Sequence, residues 1–165
     1  MSGGALRVGT AYDRRMSPVD RSYIRTKAMA VLLNEAHTHH AVIRFTDSTR
    51  EPVHFHRLVG GGVELGERSV DAVVREIGEE LGTTLQEPRL LGVIENLFMY
   101  ESKPGHEVVF VYAGELADRD IIPAAGGWFQ DSGGPMFVEW RAVEDSGHQW
   151  PLYPEGIGAL VRSLV

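Results

Sequence analysis

Three glutamates within five positions, Glu76, Glu79 and Glu80, are the residues of this chain best suited to chemistry. Taking about 100° per residue and setting Glu76 at zero, Glu79 falls near roughly 300° and Glu80 near roughly 40°, so one helix face carries all three. Like charges at these spacings each cost a helix about 0.2–0.5 kcal/mol, and Gly78 in the interior adds up to about 1 kcal/mol against alanine. Local helix stability therefore does not account for the segment. A hard divalent cation would reverse the electrostatic penalty. Mg²⁺ takes oxygen ligands, often only one or two carboxylates, with water and substrate phosphate completing its octahedron. Taken alone, the cluster reads more simply as a solvated helix face; what surrounds it decides between the two.

The element that must position these carboxylates is the clearest helix in the chain. Ser69 is expected as its N-cap, Val70, Val73, Val74, Ile77 and Leu81 follow at helical spacing, and Gly82 stops the pattern. On the wheel this apolar stripe spans roughly 60° to 160°, separate from the acids, so one helix can enter the core and present carboxylates outward. Upstream, apolar and β-branched runs predict strands over 24–33 and 40–45, joined by a turn over 34–39. A third strand over 53–59 is expected to end in a glycine loop at Gly60, Gly61 and Gly62, which serves either as a tight turn or as a close backbone approach to phosphate. Downstream, strands are expected over 90–100 and 107–116 with Pro104 and Gly105 turning between them, another over 136–140, and a closing helical stripe of Ile157, Leu160, Val161 and Leu164.

A chain of 165 residues is the size of one domain, read here as a leader arm over 1–20 and a folded domain over 21–165. The formal net charge of -7 gives no general attraction to duplex nucleic acid, so an anionic substrate would need a local helper, either clustered basic residues or a cation. With no cysteine, thiolate metal sites and a cysteine nucleophile are excluded. No apolar run is long enough for a signal peptide or a membrane span, and the cytoplasm is the default expectation.

The spacing of Gly61, Glu67, Arg75, Glu76, Ile77, Glu79, Glu80 and Gly82 resembles the signature of the Nudix hydrolase family: glycine, five residues, glutamate, seven residues, then Arg-Glu-apolar-x-Glu-Glu-x-Gly-apolar. Thr83 stands where an aliphatic residue is usual, and Val59 replaces the frequent proline of the glycine loop; neither position carries the chemistry. The resemblance implies an α/β fold, a mixed β-sheet sandwiched between helices. It also implies hydrolysis of a diphosphate linkage in a small nucleotide-like substrate, with Mg²⁺ as cofactor and Mn²⁺ as a substitute. By family analogy alone it extends to a homodimer. Metal binding is implied for Glu76, Glu79 and Glu80, with the Gly60 carbonyl as an added ligand, and Glu76 is a candidate base for the attacking water.

Several residues carry two readings. Arg75, at about 260° on the wheel, neighbours Glu79 and is read as holding a carboxylate in place rather than as a phosphate contact. Glu67 is either a charge favouring the helix N-terminus or a group near the metal. Glu107, just after His106, is an edge-strand solubilising charge or an additional ligand or base. Arg25, Lys27 and Arg57 could supply local positive charge for the substrate, against the plainer reading of solvated surface. His37, His39 and His40 are read as turn histidines rather than a metal tract. Tyr100, 17 positions past Thr83, resembles the tyrosine of dinucleoside polyphosphate hydrolases, whereas Phe98 and Met99 stand where ADP-ribose hydrolases carry a proline. The expected substrate is therefore a nucleoside diphosphate linked to another group. Nucleoside triphosphate cleavage, a silent nucleotide-sensing module and a merely structural acidic domain remain as alternatives.

Overall fold

The computed structural model describes residues 23–165, so the expected arm over 1–20 lies outside the described residues. Over these residues, eight strands and two helices build two four-stranded sheets. The first sheet has the order β4-β1-β6-β5, with β1 (Arg25–Val31) parallel to β6 (Lys103–Leu116) and antiparallel to β4 (Val59–Gly62), and β5 (Leu85–Tyr100) antiparallel to β6. The second is antiparallel throughout, in the order β3-β2-β8-β7, from β3 (His54–Arg57), β2 (His39–Thr46), β8 (Gly134–Ala142) and β7 (Gly127–Asp131).

The second half of β1, Ala28 to Val31, is apolar on both faces because both are covered. Ala28 and Ala30 join the core that contains Ala72, Val73, Ile77 and Leu81 of α1 (Ser69–Leu81), together with Ile43, Phe55 and Val138 of the second sheet. Met29 and Val31 point the other way, to Val109 and Val111 of β6 and to Ile157 and Val161 of α2 (Ile157–Arg162). The mixed sheet thus lies between two helices, as the family resemblance implies, and each fully buried Val, Leu, Ile or Met side chain in these clusters contributes about 1.5–3 kcal/mol.

Four local expectations are corrected. Gly60, Gly61 and Gly62 form strand β4 rather than a loop, because the missing side chains let this backbone lie against β1: a Cβ on Gly60, at φ 133°, would meet the Ala28 carbonyl oxygen at 2.3 Å. Ser69 is the first helical residue and not the N-cap; Arg68 takes the extended cap conformation without a side-chain cap, and the Ser69 hydroxyl shares a 2.7 Å hydrogen bond with the Tyr112 hydroxyl. The β5–β6 turn falls at Glu101 and Ser102, both with positive φ (48° and 61°), the geometry that matches strand twist in two-residue hairpins. Pro104 and Gly105 lie within β6, where Gly105 leaves room for the Phe98 ring: a Cβ there would come within 2.4 Å of it. Finally, only His37 sits in the turn before β2; His39 and His40 belong to that strand.

His40 is 1 % exposed, and its Nδ1 finds no hydrogen-bond partner. Burial first, then the Arg141 charge, lowers its pKa to about 4. The unfolded chain takes up this proton near pH 6.5 while the folded one refuses it until about pH 4. Stability is therefore complete above pH 6.5 and declines as pH falls through that window, by about 3 kcal/mol. Thermal unfolding from pH 7 to 4.5 should show this decline, and His40→Gln should flatten it. An unchanged slope would remove His40 as its cause.

Candidate active site

Helix α1 and strand β4 meet where Glu76 lies over Gly61. A Cβ on Gly61 would stand 2.4 Å from the Glu76 carboxyl carbon and from each of its oxygens, so this carboxylate rests directly on the strand backbone. Burial raises the pKa of Glu76, opposed in part by hydrogen bonding to Arg75. One turn further, Glu80 is buried and its Oε2 accepts the Gly60 backbone N–H at 2.9 Å, tying the helix to the same strand. Glu79 is more than half exposed. The single acidic face drawn on the helical wheel is therefore graded in depth: Glu80 is buried along with Ile77 and Leu81, whereas Glu79 faces solvent.

Arg75 connects these groups. Its Nε and Nη2 donate to the two oxygens of Glu67 at 2.8 and 2.9 Å. Nη2 also donates to the Gly62 carbonyl at 2.8 Å, and Nη1 reaches Glu76 at 3.0 Å and Glu79 at 3.2 Å. The pairing raises the Arg75 pKa further above its usual value, Glu67 first among the causes. The same bonds, with the Glu64 backbone N–H, hold Glu67 down to about 2. A planar guanidinium supplies this fork and an ammonium cannot. Arg75→Lys should accordingly lower kcat/KM about 10- to 100-fold with little change in helix content. A variant with full activity would show that the fork does not position the carboxylates.

The donors suit a hard cation. Glu76, Glu79 and Glu80 offer carboxylate oxygens within one helix turn, the first two through a shared Nη1 contact, and the chain has no thiolate to recruit a softer metal. Among the described residues no three histidine, aspartate or glutamate side chains, Glu76, Glu79 and Glu80 included, converge closely enough as they stand to hold a metal ion.

The other sequence candidates stand on β1, β5 and β6 of the first sheet and β3 of the second. Glu107 is fully buried, and its oxygens accept from Arg25 Nη2 at 2.7 Å, Arg57 Nη2 at 3.1 Å and Asn96 Nδ2 at 3.3 Å. It is no edge-strand solubilising charge, since β6 is flanked by β1 and β5. Tyr100 is buried, donates its hydroxyl hydrogen to the Thr46 carbonyl at 2.9 Å, and shares a small cleft with Arg57, Glu107, Phe55, Phe98 and Tyr153. A larger cleft of about 960 Å³, lined by residues such as Asn34, His39, Arg89 and Trp140, contains none of Glu67, Glu76, Glu79, Glu80 and Glu107, and we assign it no part in the chemistry.

One polar network had no sequence signal. Arg141 Nη1 can only donate, so the His56 Nδ1 it meets at 3.0 Å accepts, and His56 Nε2 donates to Glu139 at 2.7 Å. Arg44 closes the network on the two Glu139 oxygens at 3.0 and 2.9 Å. Its members come from three separated stretches of the chain, on β2, β3 and β8, beyond any spacing rule.

The model of the NUDIX domain matches residues 24–156, which is most of the chain and includes every signature position. The chain belongs to the Nudix family. It is a hydrolase of phosphoric anhydride bonds, in a family that acts on small nucleotide-like substrates and generally uses divalent metal ions. Solved structures agree on the fold. A NUDIX hydrolase from Nitrosomonas europaea aligns with a TM-score of 0.59 at 16 % identity, covering 86 % of this chain and 88 % of that one. A MutT NUDIX hydrolase from Burkholderia pseudomallei aligns at 0.56 and 22 %, covering 87 % and 100 %. The MutT protein of Methanosarcina mazei Go1 aligns at 0.56 and 18 %, covering 85 % and 91 %. Among the described residues of this Nudix protein, no helix is long and apolar enough to cross a membrane.

Proposed function

We propose that this protein hydrolyses, with Mg²⁺ or Mn²⁺, the diphosphate linkage of a nucleoside diphosphate joined to another group, as a cytoplasmic enzyme. The observation that carries the reading is the Arg75 fork, which gathers Glu67, Glu76, Glu79 and the β4 backbone into one rigid carboxylate site. Glu76, Glu79 and Glu80, with the Gly60 carbonyl, would hold the cation. When bound, it would neutralise phosphate oxygens and lower the pKa of a coordinated water. Glu76, fixed against Gly61, accepts the proton of the attacking water, whose oxygen bonds to phosphorus as the anhydride oxygen leaves with the second phosphoryl group. Glu80 anchors α1 to β4, and Arg75 with Glu67 keeps the carboxylates aligned. Arg25 and Arg57, oriented by Glu107, and Tyr100 line the way to the rest of the substrate.

A panel of nucleotides incubated with Mg²⁺, with products separated by chromatography, tests the substrate class. The reading requires a nucleoside monophosphate plus a phosphorylated second group. Release of inorganic pyrophosphate from nucleoside triphosphates as the dominant reaction would replace it with a triphosphate pyrophosphohydrolase. Metal-dependent nucleotide binding without turnover would make the protein a sensor.

A further inference from the structure

The three basic residues near the site are not equivalent. Arg25 and Arg57 both spend hydrogen bonds on the buried Glu107 carboxylate. Lys27, two residues along β1 from Arg25, is half-buried, and its ammonium makes no hydrogen bond or ion pair among the described residues. It stands in register with Gly62, whose carbonyl is held by Arg75, and with Val109, two residues from Glu107 on β6. The charges of Glu76 on one side and of Glu107, Arg25 and Arg57 on the other all act on it, while burial followed by Arg57 lowers its pKa. An ammonium has three donors and no acceptor, and holding them half out of water without a partner is unfavourable unless an anion completes the arrangement.

We propose that Lys27 binds the substrate diphosphate, its ammonium donating to a non-bridging phosphate oxygen between the carboxylate helix and the Arg25–Glu107–Arg57 cluster. This rests on the diphosphohydrolase reading above. A point charge on a flexible stem suits phosphate, and of the three cations Lys27 is the one whose charge Glu107 does not engage directly.

The test measures binding of inorganic pyrophosphate, ADP and adenosine to the full chain, with Mg²⁺ and with chelator, for wild type, Lys27→Met and Lys27→Arg. Lys27→Met should weaken pyrophosphate and ADP about 10- to 100-fold in both conditions, the value of a hydrogen bond to a charged group, and leave adenosine unchanged. Its Tm should hold or rise, because methionine removes an unpaired half-buried charge, and Lys27→Arg should recover most of the affinity. In turnover, KM should rise more than kcat falls. Unchanged diphosphate affinity in Lys27→Met, in a preparation whose wild type cleaves nucleotides, would overturn this inference alone. A Tm lowered by several degrees with equal losses for all three ligands would make Lys27 structural and overturn it too. A wild type that binds neither pyrophosphate nor ADP would overturn both this inference and the function on which it rests.

Discussion

Glu76→Gln is expected to lower kcat about 10²- to 10⁴-fold while leaving the fold and nucleotide binding largely intact. Glutamine has the same shape, so it can lie on Gly61 and keep its carbonyl oxygen toward Arg75 Nη1, where Glu76 now accepts at 3.0 Å. The change removes one negative charge and the capacity to accept a proton from water. A residue that merely supported the helix would be indifferent to it, or would gain stability from relieved repulsion with Glu79. Steady-state kinetics beside circular dichroism checks the prediction: a properly folded variant within a few-fold of wild type would remove Glu76 from the chemistry.

Gly61→Ala should lose about 100-fold in rate for a different reason. Unlike Gly60, Gly61 does not have a positive φ, so alanine can adopt its backbone conformation. The new methyl group would meet the movable end of the Glu76 side chain at 2.4 Å, and the carboxylate must leave its seat while the strand stays. Gly60→Ala is the contrast, since its methyl would strike the Ala28 carbonyl at 2.3 Å and break β4 from β1. Melting temperatures and kcat/KM for the two variants should therefore separate, with Gly61→Ala folded and slow and Gly60→Ala unstable. Full activity in Gly61→Ala would mean that the seat of Glu76 on β4 does not matter for catalysis.

These two glycines show what sequence could and could not convey. Periodicity places α1 and its stop at Gly82: of the apolar stripe, Val73, Ile77 and Leu81 are buried, Val70 and Val74 pack partly buried against the same core, and Gly82 takes a left-handed φ of 72°. The glycine run was legible as a constraint but not as a strand, because strand preference is normally carried by side chains and β4 exists through their absence. Sequence alone puts the β5–β6 turn at Pro104 and Gly105 for the converse reason. They look like turn residues, whereas Glu101 and Ser102 take positive φ only because the paired strands impose it. Strand β7 leaves no clear pattern in the sequence, since its Trp128 and Phe129 follow Gly126 and Gly127.

Within the site, the residue types and their spacing were visible and their division of labour was not. A helical wheel ranks Glu76, Glu79 and Glu80 by angle alone, so it could not say that Glu80 is buried against the Gly60 N–H while Glu79 stays in solvent. It placed Arg75 beside Glu79 but had no means of reaching Glu67, eight residues away, or the Gly62 carbonyl on another element. The Glu107 cluster joins β1, β3, β5 and β6, and pairing across 82 residues, as between Arg25 and Glu107, leaves no local pattern.

The most direct measurement is the cleavage of a nucleoside diphosphate-linked substrate by the wild-type chain in Mg²⁺, after chelation, and after Mg²⁺ is returned in excess. The carboxylate site on α1 and β4 requires two phosphomonoester products in the first condition, none in the second, and recovery in the third. Cleavage that persists unchanged under chelation would contradict it.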